Sequence, residues 1–328
     1  MQSKKFGRTG RTVSQIGFGA WAIGAAWGEV NDDEAIAALH AALDSGMTFI
    51  DTADVYGDGH SEQLIAKVVK ARGGDKPYIA TKIGRKLPQQ TVAGYSMANI
   101  ESYIDQSLKN LDTDVIDLVQ LHCPSSDTYD HPEVFERMDT MVKAGKIKNY
   151  GVSVERIDEA LKAIEYPNVV SVQIIFNAFR QRPADVFFKK ALEKNVAVIA
   201  RVPLASGLLT GKFNANSTFE KTDHRLFNRN GEAFDVGETF SGVPYDAGLA
   251  AVERIRPLVS GDMTMAKLAL RWILMFDAVT VVIPGARNPL QAKANAEAGS
   301  LSVLSRDVMD KIKQIYDEDI KGFVQDRW

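Results

Sequence analysis

The chain has 328 residues, 45% hydrophobic and 25% charged, which is ordinary globular composition with enough apolar content for a core. Its net charge of -3 leaves no global basic surface for nucleic acid, and no stretch reaches the ~20 apolar residues of a membrane span. Cys123 is the single cysteine, which excludes an internal disulfide and fits a reducing, cytoplasmic setting.

The first residues carry Lys4, Lys5, Arg8 and Arg11 but no apolar run behind them, so a secretory leader is not expected. Residues 4–14 read instead as a small hairpin turning at Thr9 and Gly10. Short apolar runs then recur at 15–19, 48–50, 78–81, 117–121, 150–153, 169–175, 196–201 and 280–283. Runs this short and this continuously apolar predict strands buried on both faces, as in a parallel sheet.

The segments between them carry helical spacing. Ile36, Leu39 and Leu43 share a face after Asn31 and Asp32, with Gly46 as a stop. Ser61 is a candidate N-cap ahead of Leu64, Ile65, Val68 and Val69, and Gly73-Gly74 closes that helix. Further helical stripes are Ile100, Ile104, Leu108 and Leu111, then Val134, Met138, Met141 and Val142 before Gly145. Ile157, Leu161 and Ile164 mark a fifth helix, and Phe187, Phe188, Ala191 and Leu192 a sixth. Strands followed by helices predict one α/β domain over 1–328, a (β/α)8 TIM barrel. A Rossmann sheet is the runner-up, but no G-x-G-x-x-G follows an early strand. Residues 203–261, rich in Gly, Asn, Asp and Phe, are expected as a long loop over the C-terminal face, where barrel enzymes keep their sites.

Asp51, Lys82 and His122 sit at or just past the C-terminal ends of successive predicted strands, and Tyr56 follows in the loop after Asp51. On a barrel those ends converge on one mouth. Lone charges at buried strand ends would be costly, whereas an Asp–Lys pair beside a tyrosine forms an acid–base unit. Hydride delivered to a carbonyl carbon leaves an oxyanion that needs a proton. A free phenol, with pKa near 10, needs tuning to serve, and an adjacent ammonium would lower that pKa. Asp51 would then hold Lys82, and His122 would orient the carbonyl.

With these residues in place, the chain resembles the aldo-keto reductases. The matching blocks are Phe49-Ile50-Asp51-Thr52-Ala53-Asp54-Val55-Tyr56-Gly57, Ala80-Thr81-Lys82, and Asp117-Leu118-Val119-Gln120-Leu121-His122. The resemblance runs from the hairpin to about Asn295. It implies a catalytic tetrad of Asp51, Tyr56, Lys82 and His122, and NADPH held without a Rossmann motif. It also implies that Ser153 and Gln173 hold the nicotinamide carboxamide. A loop of Arg201, Pro203, Leu204, Ser206, Gly207, Leu208 and Lys212 would wrap the pyrophosphate. Two departures stand out: Arg201 replaces a frequent ring-stacking aromatic, and Val154 replaces a frequent asparagine, for which Asn177 is a candidate substitute.

Residues 283–287, ending in Gly285, Ala286 and Arg287, open a helix at Asn288-Pro289. A helix N-terminus beside an arginine suits a phosphate, and Gln291 and Asn295, one turn apart, would grip an adenine. Arg287 implies NADPH over NADH. Arg225, beside His224 in the long loop, is a further phosphate candidate. Gly19, Ala20, Trp21 and Trp27 follow the first strand, with Trp21 expected to line both the nicotinamide and the substrate with Tyr56 and His122. Tyr129, His131, Phe323 and Trp328 are candidates for the rim, and Cys123 reads as a filler beside the site.

The expected partner is a small carbonyl substrate, with no nucleic acid, membrane or metal. A non-catalytic cofactor-binding regulatory subunit on the same fold is the alternative, since the family includes channel-associated members. A metal-dependent barrel hydrolase would need clustered ligands at strand ends, and among five histidines only His122 ends a predicted strand.

Overall fold

The computed structural model describes residues 1–24, 27–28 and 31–328. A two-stranded antiparallel hairpin, β1 (Ser3–Lys5) and β2 (Thr12–Ser14), comes first, with Gly10 at φ 75° in its turn. Eight parallel strands follow: β3 (Phe18–Gly19), β4 (Phe49–Asp51), β5 (Tyr78–Ile83), β6 (Ile116–His122), β7 (Ile147–Ser153), β8 (Val169–Ile175), β9 (Ala197–Arg201) and β10 (Val279–Val282). Each pairs with its sequence neighbour. The ends meet through Gly17 N–H to the Val282 carbonyl at 2.8 Å and Gly19 N–H to Pro284 at 3.0 Å, which closes the barrel. Gly19 is required here, because a Cβ would lie 2.6 Å from the Ile283 carbonyl oxygen.

The hairpin plugs one end. Phe6 is fully buried and packs on Phe49 and Tyr78, the first residues of β4 and β5, at ring separations of 5.5 and 5.1 Å. Polar chemistry is therefore confined to the other end, where the strands finish.

The helices are α1 (Trp21–Gly24), α2 (Asp32–Asp44), α3 (His60–Arg72), α4 (Met97–Asn110), α5 (Pro132–Lys143), α6 (Ile157–Ala163), α7 (Arg182–Val186), α8 (Phe188–Glu193), α9 (His224–Phe227), α10 (Tyr245–Ile255), α11 (Met265–Ile273), α12 (Pro289–Ala298), α13 (Arg306–Ile315) and α14 (Lys321–Val324). Among the described residues no helix is long and apolar enough to cross a membrane.

Three expectations change. The N-cap of α3 is Gly59 at φ 90°, and Ser61 lies inside the helix, its hydroxyl paired with Thr52 Oγ1 at 2.8 Å. The sixth helical stripe lies in α8, with Phe187 at the junction with a separate short α7 before it, and Leu192 faces outward at 54% exposure. The 203–261 segment is not all loop: its last third holds α10, which buries Ala251, Val252 and Ile255.

Candidate active site

Asp51 and Lys82 arrive from adjacent strands, and burial forces them together. Lys82 Nζ donates to Asp51 Oδ1 at 2.6 Å, to the Thr52 carbonyl at 2.8 Å and to Tyr56 Oη at 3.2 Å. All three donor positions of the ammonium are thus used inside the protein. Tyr56 is placed by the turn after β4, where Gly57 takes φ 61° and a Cβ would fall 2.4 Å from the Gly24 carbonyl. Its ring lies edge-on to His122 at 6.1 Å and stacks with Trp21 at 6.2 Å. The four expected catalytic side chains share one mouth.

The electrostatics refine the expected tuning. Burial raises the Tyr56 phenol, and although Lys82 pulls against it the net direction is up, not down. Burial also opposes charge on Lys82, but Asp51 and Tyr56 outweigh it and hold the ammonium above its usual range. His122 is pushed well below its ordinary value by burial, then by Arg85, Lys82 and Arg201, so the imidazole is neutral at pH 7. Its Nδ1 is buried without a hydrogen-bond partner among the described residues.

Two glutamines complete the anchor. Gln173 donates from Nε2 to Asp51 Oδ2 at 2.7 Å and Gln120 does so at 3.2 Å. The contact of Gln120 with Asp51 was not legible in sequence, since the residue sits inside a strand whose run reads as apolar. Ser153 Oγ lies 3.6 Å from Cys123 Sγ, at the end of the neighbouring strand. Asn177 is fully engaged elsewhere: it donates to the Val202 carbonyl and Ser241 Oγ, both at 2.8 Å, and accepts from Phe179 N–H. It does not stand in for the asparagine expected at Val154.

Arg201 is buried and faces Glu238, with Nη1 to Oε1 at 2.5 Å, and donates to the Val154 carbonyl at 2.8 Å. Arg85, just past β5, adds a contact to Glu155 at 3.0 Å and a longer one to Glu238 at 3.7 Å. Cys123, Glu155 and Glu238 bring their donor atoms within 4.8 Å of one another, but the charges they face are these two guanidiniums. Neither Arg85 nor Glu238 was singled out by sequence.

The strand-end loops gather the other expected residues. After β9, Pro203 and Leu204 lead into Ala205, Ser206 and Gly207, which take φ of 47°, 52° and 100°, a run of left-handed backbone before Leu208. Ser206 Oγ is turned to the Glu238 carbonyl at 2.9 Å, while Lys212 is exposed. Arg225 forms a bidentate pair with Asp223 and lies over Trp27, Phe213 and Phe219. Asn288 caps α12, whose first residue is Pro289. Arg287 donates to the Trp27 carbonyl, Gln291 accepts from the Arg287 N–H, and Asn295 donates to the Gly285 carbonyl at 3.1 Å. Trp21, Trp27, His224 and Phe234 form an aromatic wall beside Tyr56. Of the rim candidates, Tyr129 and Trp328 are buried and Phe323 is exposed. His131 pairs with Glu133 instead.

Comparison with known proteins agrees with this arrangement. The chain is 31% identical to an aldo-keto reductase, YhdN, of Bacillus subtilis over 94% of its length and 92% of that protein. It is 28% identical to a probable voltage-gated potassium channel subunit beta of Arabidopsis thaliana, covering 96% of each. The solved holo form of aldo-keto reductase AKR11C1 from Bacillus halodurans superposes with a TM-score of 0.76 at 26% identity over 96% of both chains. Residues 15–317 match the model of the aldo/keto reductase family, and the chain belongs to that family.

Proposed function

We propose that this protein reduces an aldehyde or ketone to the alcohol with NADPH, Tyr56 giving the proton. The observation that carries the reading is the Asp51–Lys82–Tyr56 chain at 2.6 and 3.2 Å beside a neutral His122.

The residues present fit the cofactor. His122 Nδ1 is a buried polar atom with no partner among the described residues, and a capped helix N-terminus with Arg287 follows the last barrel strand. When bound, NADPH supplies the hydride. Ser153, Gln173, Arg201 and Trp21 border the nicotinamide end. Pro203, Leu204, Ser206, Gly207, Leu208 and Lys212 border the pyrophosphate, with Arg225 nearby. Gly285, Arg287, Gln291 and Asn295 border the adenosine phosphate. A fission yeast relative is named for NADP(+).

The chain's own groups then divide the work. His122, neutral and oriented by the strand end, donates a hydrogen bond to the carbonyl oxygen and fixes it against Tyr56. Tyr56, held protonated by burial, donates its proton as the oxyanion forms. Lys82 offsets the phenolate left behind, and Asp51 keeps Lys82 charged and aimed. The aromatic wall of Trp21 and Phe234 bounds the carbonyl's substituents and excludes water.

A panel of carbonyl compounds with NADPH and NADH, repeated on Tyr56→Phe, tests the reading. NADPH oxidation in the wild type and a loss of at least ~10²-fold in the variant are expected. Full activity in Tyr56→Phe would remove it as the donor. The channel-subunit relative makes a regulatory, non-turning-over protein the second reading, and NADPH bound but never oxidised across the panel would favour it.

A further inference from the structure

A hydride can reach a carbonyl held by Tyr56 and His122 only from a ring within about 3.5 Å of its carbon. In the proposed cofactor site, Ser153 of β7, Gln173 of β8 and Arg201 of β9 would border that ring. Ser153 and Gln173 are neutral. Arg201 and Glu238 are charged, buried together, and close enough to act electrostatically on the site: Arg201 bears on His122, and Glu238 on Tyr56.

Glu238 does not reach this position by chance of a mobile loop. The short turn Val236–Glu238 is fastened on both sides. Ser206 Oγ donates to the Glu238 carbonyl at 2.9 Å and accepts from Phe240 N–H at 3.0 Å. Asp235 accepts from the Trp328 indole N–H at 3.0 Å, and Trp328 stacks on Arg180 with the guanidinium carbon 3.9 Å from a ring centre. Asn177 holds Ser241 at 2.8 Å. Several independent contacts thus hold one carboxylate beside Arg201.

The nicotinamide ring is positively charged when oxidised and neutral when reduced. A fixed charge beside it therefore favours one redox form over the other. We propose that Glu238 sets the balance of affinity between NADP+ and NADPH, offsetting the bias that the Arg201 guanidinium would impose alone. Arg201 by itself repels the oxidised ring and speeds its departure after reduction, whereas Glu238 restores affinity for the oxidised form. Together they leave the site able to hold either form, as reversible chemistry requires. This inference rests on the proposed NADPH-binding role of the barrel mouth.

At an effective dielectric near 20, one charge about 6 Å from the ring changes the ratio of the two dissociation constants by about 10- to 100-fold. The test measures Kd for NADP+ and for NADPH separately, by quenching of tryptophan fluorescence, on wild type, Glu238→Gln and Arg201→Gln. Glu238→Gln is expected to raise Kd(NADP+)/Kd(NADPH) by about tenfold or more. Arg201→Gln is expected to lower the same ratio, and this opposite sign stands as a test even if Glu238→Gln proves too unstable to purify. Equal movement of both constants in both variants, or no movement, would show the pair to be a structural latch and overturn the proposal. Failure of the wild type to bind either nucleotide would overturn the cofactor reading itself, and this inference with it.

Discussion

Asp51 is shared between a cation and an amide: Oδ1 accepts from Lys82 at 2.6 Å and Oδ2 from Gln173 at 2.7 Å. Both of its oxygens are committed, and it and Lys82 are almost without solvent exposure, so the carboxylate serves as an anchor. Asp51→Asn would leave Lys82 buried without an anion, which costs about 3–5 kcal/mol. Activity should fall at least ~10²-fold, because Lys82 would lose both its charge and its aim at Tyr56. The double variant Asp51→Asn with Lys82→Met removes the lone charge, so stability should recover while activity stays lost. Denaturant midpoints and kcat on the purified variants check both halves, and recovery of activity in the double variant would contradict the assignment.

The pH dependence of reduction follows from which form each group holds. Reduction needs Tyr56 protonated, and burial raises its pKa, so the donor form persists through neutral pH and is lost only in alkali. His122 is driven well below its usual value by burial and by Arg85, so it stays neutral and contributes no change near pH 6 to 7. The kcat for reduction should be level from about pH 6 to 9 and decline only in stronger alkali, above about pH 10. Alcohol oxidation, which needs the phenolate, should climb over the same alkaline range. A step in kcat near pH 6.5 that vanished in His122→Gln would show that the imidazole titrates after all.

Much of this site was legible because barrel geometry turns sequence-distant strand ends into neighbours. Asp51, Lys82 and His122 each end a short apolar run, and that regularity is visible without coordinates. Gln120 and Gln173 were harder, since a polar residue inside a fully buried strand looks like an interruption until its partner, Asp51, is seen. Glu238 was not legible at all. It lies 37 residues beyond Arg201 in an irregular segment, and it is brought to the mouth by its own tie to Ser206 and by those of its neighbours Asp235 to Trp328 and Ser241 to Asn177. The missed α10 had a similar cause: its Tyr245-Asp246-Ala247-Gly248 start reads as loop, and its apolar face appears only when Ala251, Val252 and Ile255 are packed.

Asp54 behind Tyr56 should make the protein less stable as pH rises. It is buried, and its carboxylate has no well-formed partner among the described residues beyond a marginal approach of the Val55 N–H. Burial, reinforced by Glu62, pushes its pKa from 3.8 to about 7. The folded state therefore holds this proton more tightly than the unfolded chain. The stabilisation is complete below about pH 4 and is lost as pH climbs through 7. Asp54→Asn removes that loss and should be on the order of 2–4 kcal/mol more stable than wild type at pH 8, with little gain at pH 4. Glu155, also pushed to about 7, adds the same trend to both proteins, so the difference between them isolates Asp54. Thermal melts at the two pH values decide it: a wild type as stable as the variant at pH 8 would mean Asp54 is not strained.

Gly24 offers a way to displace the proton donor without touching its chemistry. A Cβ built on this residue would stand 2.7 Å from Tyr56 Cβ and 3.1 Å from Ser61 Cβ. Ser61 cannot easily yield, because its hydroxyl ties α3 to Thr52 and to the Ala20 carbonyl. The pressure in Gly24→Ala therefore falls on Tyr56, whose position is otherwise set by its turn and by Lys82. A shift of a few tenths of an ångström to 1 Å would lengthen the 3.2 Å contact with Lys82 and spoil the approach to a carbonyl. Turnover should drop about 10- to 100-fold, against a stability loss of roughly 1–3 kcal/mol from overpacking. NADPH affinity should change less than turnover, since of the residues proposed to bind it only Trp21 shares α1 with Gly24 and the pyrophosphate and adenosine contacts lie on other loops. Comparable losses in kcat and in NADPH binding would instead mean that the substitution disturbs the whole mouth, and Tyr56 would not be the group that registers the strain.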